Sequence, residues 1–259
     1  MYELFLYGIH VRKNDERLKY QGGGGKGLEI VFDEPELTSD AGLLAVGEYE
    51  KDLGIINKLA GCFPDRRIGP KHTMPVLFAQ RMYQIIGGNP DANDSDRLRD
   101  DATLQALAGT YGPLASQPTM SRLENSVSIR DVVRLAHALG EVFLDSFETA
   151  PKLIVIDLDP TAHLIYGQQQ LGLFNSYVGD SCLMPFHVYD GVSGRLIAAV
   201  MREGKTPGAP EILRLLKRVV RGIRKRFRFA SSSITFVVNV ATCVCNPSIT
   251  PACSRLLQH

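Results

Sequence analysis

With 259 residues, 44% of them hydrophobic, the chain can bury one large core or two modest ones. The formal net charge of +1 says nothing about partners, but no apolar run is long enough to span a bilayer, which excludes a helical membrane protein. The opening MYELFLYGIHVRKNDERLKY is too charged for a secretory signal, and five cysteines, an odd number, fit a reduced, cytoplasmic setting.

Taken in chain order, residues 1–37 read as an N-terminal strand region with a glycine-rich linker. QGGGGKG, from Gln21 to Gly27, lacks the Ser or Thr and the strand-then-helix frame of a phosphate loop. LEIVFDE, 28–34, reads as one strand. From Thr38 to Glu148 the pattern is helical throughout. Apolar residues recur at helical spacing over 38–63, and Gly54 divides that stretch into two short helices. A helix is predicted from about Met74, with Pro75 in its first turn and Gly87-Gly88 as its stop. Short helices follow, then QPTMSRLEN at 117–125 and a longer amphipathic helix at about 129–147. Met120 and Leu123 are expected to pack on the segment 128–147.

The pattern then changes. Strands are predicted at 153–158, 183–191 and 195–202, the last two joined by a hairpin turn at Asp190-Gly191. A basic amphipathic helix covers 209–227, and SITFVVNVATCVC reads as a further strand. The order strand, hairpin, helix, strand is that of the first half of an RNase H-like fold. The predicted class is therefore α+β: an N-terminal all-helical region, 38–148, followed by a partial RNase H-like mixed sheet with a basic helix, 149–228.

The first of these strands ends in IDLDP. Residues two apart on a strand share a face, so Asp157 and Asp159 project together. Two neighbouring carboxylates repel unless one is protonated or a cation sits nearby, and oxygen ligands of this type suit Mg²⁺. An Asp-Pro pair that simply opens a turn is the plain alternative. A lone His beside an apolar run is more often a packed or surface residue than a ligand, so neither His163 nor His187 is assigned. Cys243, Cys245 and Cys253 lack the ligand set of a zinc site.

Several stretches, LTSDAGLL, QRMYQIIGGNPDANDSDRLRDD, LASQPTMSRLENSVSIRDVVRLA, IVIDLDPT and YGQQQLGLFNSYVGDSCLMPFHVYDGVSGRLIAAVMREGK, occur in unbroken order over about 28–228. In these the chain resembles DDE transposases of bacterial insertion sequences, of the "thirteen-eighty" group. The resemblance implies an RNase H-like core that binds two Mg²⁺ through an Asp-Asp-Glu set, cuts double-stranded DNA at transposon ends and joins them to target DNA, in the intact family as a possible homodimer. It implies Asp159 as the first catalytic and metal-binding Asp, with Asp157 as the alternate.

Two departures follow from the same comparison. The second catalytic Asp belongs after the strand that follows the basic helix, and Asn239 stands there. No Asp or Glu follows Glu211, so the third acid has no counterpart, and the tail 229–259 reads like translation in a shifted frame. The chain is thus expected to be a transposase cut short in its catalytic domain, inactive alone. A non-catalytic fragment that occupies or represses transposon ends is the alternative. Candidate DNA contacts are Gln117, Ser121, Arg122 and Asn125 on 117–125, and Arg214, Lys217, Arg218 and Arg221 on the basic helix. For each set a solvated helix face is the competing reading.

Overall fold

The computed structural model describes residues 17–21, 27–31, 40–167, 169–228 and 234–240. Strands β1 (Arg17–Gln21) and β2 (Gly27–Val31) pair antiparallel, with Gln21 opposite Gly27. β1 and β2 thus flank the glycine-rich segment. The interior of that segment, 22–26, and residues 32–34 of the predicted strand lie outside the described residues.

Packing divides the chain into two compact units, Met1–Val132 and Val133–His259. The first holds α1 (Leu43–Leu53), α2 (Ile55–Ala60), α3 (Met74–Ile86), α4 (Asp94–Leu98), α5 (Ala102–Leu107), α6 (Gln117–Asn125) and the start of α7 (Ile129–Asp145). Gly54 ends α1 in the left-handed region at φ 60°, and its N–H donates to the Glu50 carbonyl. A side chain would be strained there, so glycine is what separates α1 from α2 as predicted. Ser128 and Asp131 bracket the start of α7: the Ser128 N–H and hydroxyl both donate to the Asp131 carboxylate.

The helical unit has two apolar clusters. One gathers Leu43, Ile56, Ala79, Tyr83, Leu98, Leu104 and Leu114. The other is Leu77, Ala115 and Met120, with Leu123 packed against it. Met120 and Leu123 thus pack with Leu77 of α3 and with Ala115 in the segment leading into α6. Gln80 ties the two segments together. Its side-chain amide donates to the Ala115 carbonyl and accepts from the Ala115 N–H, each at 2.9 Å and fully buried.

In the second unit a four-stranded sheet runs in the order β8 (Leu196–Val200), β7 (Phe186–Asp190), β3 (Leu153–Pro160), β9 (Thr235–Val240). β8, β7 and β3 are antiparallel neighbours, while β3 and β9 are parallel. Helix α8 (Ala209–Arg226) makes the crossover between β8 and β9. This α+β arrangement matches the predicted opening half of an RNase H-like sheet.

The strand predicted at 183–191 is β7, over 186–190, and Leu183 belongs to a separate strand before it. Residues 161–185 hold β4 (His163–Leu164), β5 (Leu173–Asn175) and β6 (Asp180–Leu183), a separate antiparallel sheet in the order β4-β6-β5. Pro185, which cannot donate to a ladder, lies between β6 and β7. Asn175 braces this small sheet. Its Nδ2 donates to the Gly204 carbonyl at 2.7 Å, and its Oδ1 accepts from the N–H groups of Tyr177 and Val178.

One face of the four-stranded sheet packs on α8. Ile154, Ile156 and Leu158 of β3 and Phe186 and Val188 of β7 share a core with Ile212, Leu216, Val219, Val220 and Ile223 of the helix. Phe143 and Leu144, near the end of α7, belong to the same core. Arg202 seals its edge: its guanidinium pairs with both Glu211 carboxylate oxygens at 2.6 and 2.7 Å, donates to the Met184 carbonyl and lies 4.6 Å over the Phe186 ring.

Candidate active site

Period-two alternation sends Ile154, Ile156 and Leu158 into the core and Asp157 and Asp159 to the opposite face of the sheet. The two carboxylates share that face, as the sequence predicts. Strand register then sets their neighbours. Asp157 stands between Tyr189 of β7 and Asn239 of β9, and Asp159 stands opposite His187 of β7. The face therefore carries a row Tyr189–Asp157–Asn239 with a second row His187–Asp159 beside it.

Asp157 is closely held. Its Oδ1 accepts from the Asn239 side-chain amide at 2.7 Å. Its other oxygen lies against the α-carbon of Gly191, where an added β-carbon would approach it to 2.4 Å. Gly191 is kept there by its own N–H, which donates to the Val155 carbonyl at 2.7 Å. The turn beneath is fixed by Asp190, a buried carboxylate. It accepts from the N–H groups of Val155 and Ser193 and from the Ser193 hydroxyl. The predicted hairpin at Asp190-Gly191 thus also shapes the seat of Asp157.

Asp159 is exposed and loosely held. The Thr161 hydroxyl lies 3.4 Å from its Oδ2 and 3.2 Å from His187 Nδ1, so Thr161 sits between the carboxylate and the imidazole. His163 meets His187 edge to face, with ring centroids 5.8 Å apart. Sequence reasoning left both histidines unassigned. Only the pairing of β3 with β7 brings His187 beside Asp159, and no local pattern announces that.

Among the described residues, the donor set on this face does not fit a pair of Mg²⁺ ions. Each such ion needs several oxygen ligands. One oxygen of Asp157 is already bonded to an amide, and the residue on β9 at that position is itself neutral. Among the described residues no three of His, Cys, Asp and Glu come together in a way that could hold a metal ion.

The basic residues predicted to meet DNA fall in two places. Arg214, Lys217, Arg218 and Arg221 are exposed on α8, whose apolar face is pressed onto the sheet. They lie on the far side of the sheet from Asp157 and Asp159, so the two groups cannot touch the same phosphate. Arg202 is fully engaged with Glu211 and backbone carbonyls. On α6, Gln117 donates to the Ser121 hydroxyl, Asn125 donates to the Ser121 carbonyl and Arg122 donates to Thr119. Each of these bonds stays within α6, whose Met120 is buried, and Arg122 remains exposed. Among the described residues no helix is long and apolar enough to cross a membrane.

No curated protein and no solved structure matches the chain. Residues 21–253 match the family model for transposase DDE domain group 1, which spans both the helical segment and the sheet with its paired aspartates. The chain belongs to the DDE transposases.

Proposed function

We propose that this chain is an insertion-sequence transposase of the "thirteen-eighty" group that engages double-stranded DNA at transposon ends but does not cut it unaided. One observation carries this reading: the position on β9 beside Asp157 is an amide that hydrogen-bonds the carboxylate, where two-ion chemistry needs a second acid. Asp159 is the residue on this face best able to serve a cation, being exposed and weakly bonded. The expected partners are transposon-end and target DNA, the expected assembly is a homodimer, and the expected setting is the cytoplasm.

A second reading, a DNA-binding fragment that occupies or represses transposon ends, is favoured by the exposed cations of α8. Arg214, Lys217, Arg218 and Arg221 would neutralise phosphates and release counterions, so affinity for duplex DNA should fall steeply with salt. Both readings are tested together. Incubation of the 259-residue chain with transposon-end duplex and Mg²⁺ or Mn²⁺ should give salt-sensitive binding and no nicking. Nicking that disappears in Asp159→Ala would show that the acids present suffice, and binding that ignores salt would remove the electrostatic role of α8.

A further inference from the structure

The helical unit contains a groove of about 880 Å³ between the loop after α2, the body of α6 and the start of α7. Its volume lies within the range of sites that enclose a small ligand or one unit of a larger one. Phe63, Leu77 and Leu123 give it an apolar lining, and Phe63 is steadied against Phe78 with ring centroids 4.8 Å apart. Arg66, Arg122 and Arg130 also line it, and all three are exposed.

The two acids along the groove are already committed. Asp65 accepts both Nε and Nη2 of Arg67, and that guanidinium holds its carboxyl below the usual carboxylate range. Arg67 also donates to the His72 carbonyl, which braces the loop. Asp131 accepts from Ser128 at the start of α7. The surroundings are cationic enough to act on His72, whose pKa is pushed down first by burial and then by Lys71, Arg67 and Arg99.

An arginine rim over an apolar floor asks for a ligand with both an anionic and a flat apolar part. Duplex DNA offers phosphates, but its base faces are covered by stacking. A single strand offers both, and base stacking on aromatic and apolar side chains beside cations is how such strands are held. The geometry points to this groove as a site for an unpaired nucleotide of a DNA strand, its base on the floor by Phe63 and Leu123 and its phosphate at Arg122 and Arg130. The inference rests on DNA being the substrate, and it assigns to the helical unit a task separate from duplex binding by α8.

Fluorescence anisotropy of the full chain tests it with three labelled probes of one sequence: a single strand, the same strand with abasic sites, and the duplex. The single strand should bind, and removal of its bases should weaken binding about tenfold, equivalent to about 1.4 kcal/mol. The double variant Arg122→Ala/Arg130→Ala changes only exposed side chains and should weaken the single strand by a similar factor while leaving the duplex within about twofold. Leu123→Glu, checked for an unchanged circular dichroism melt, should do the same through the floor. Equal binding of the abasic strand would overturn the proposal, as would an equal loss of strand and duplex in the arginine variant. A chain that binds duplex but no single strand refutes this site alone. A chain that binds neither refutes the DNA reading along with it.

Discussion

Replacing Asn239 by Asp puts a second carboxylate against Asp157 and is the most direct probe of the active-site face. The 2.7 Å bond from the Asn239 amide to Asp157 is a hydrogen bond to a charged group, worth about 1.5–3 kcal/mol, and the exposure of this face places it at the low end. Two carboxylates about 4 Å apart repel by roughly 1 kcal/mol in bulk water and about 4 kcal/mol near a protein surface. Together these predict that Asn239→Asp costs about 2–3 kcal/mol at neutral pH in EDTA, a fall of about 5–10 °C in melting temperature for a chain of this size. Mg²⁺ or Mn²⁺ at about 100 times its dissociation constant should return about 2.7 kcal/mol, because it binds the folded variant and not the unfolded chain. The exchanged pair Asp157→Asn/Asn239→Asp restores one amide and one carboxylate, and should melt close to the parent. Thermal unfolding followed by circular dichroism reads all of these. If Asn239→Asp melts with the parent in EDTA at neutral pH, Asp157 and Asn239 do not interact as described. If divalent ions leave the variant unmoved, this face is not a latent metal site.

Arg202→Ala should destabilise the sheet unit by about 2–3 kcal/mol in urea unfolding, below the usual range for breaking a buried pair because Glu211 stays 39% exposed to water. Arg202 holds the Glu211 carboxyl below its ordinary range by direct hydrogen bonding, so this stability is present at neutral pH and lost as pH falls through the lowered value. The gap between parent and variant should therefore close below about pH 4, and a constant gap would contradict the pairing. Gly191→Ala should cost about 1–2 kcal/mol, since its β-carbon would meet Asp157 at 2.4 Å and Val155 at 3.0 Å; an unchanged melt would show that the turn yields freely. Gln80→Leu should cost about 3 kcal/mol in the helical unit by leaving the buried N–H and carbonyl of Ala115 without partners, and a change under 1 kcal/mol would mean that another group or water replaces them.

The elements and the shared face of the two aspartates are legible in one dimension, because both follow from local periodicity. Gly54 had to end a helix, the stretch 209–227 had to bury one stripe and expose another, and Asp157 and Asp159 had to alternate with Ile156 and Leu158. Asn239 stood out as a departure only by resemblance; its bond to Asp157 depends on parallel register between strands 82 residues apart in the chain. Tertiary structure alone decided that α8 lies behind the sheet, away from the carboxylates, since periodicity gives a helix an apolar stripe but not the sheet face it covers. It also decided that 161–185 folds into its own small sheet, because runs so short hold together through partners such as Asn175 and Gly204. Gln80 and Arg202 are buried although polar. Their burial is tolerated because distant backbone groups and Glu211 satisfy them, and those partners exist only once the chain has folded.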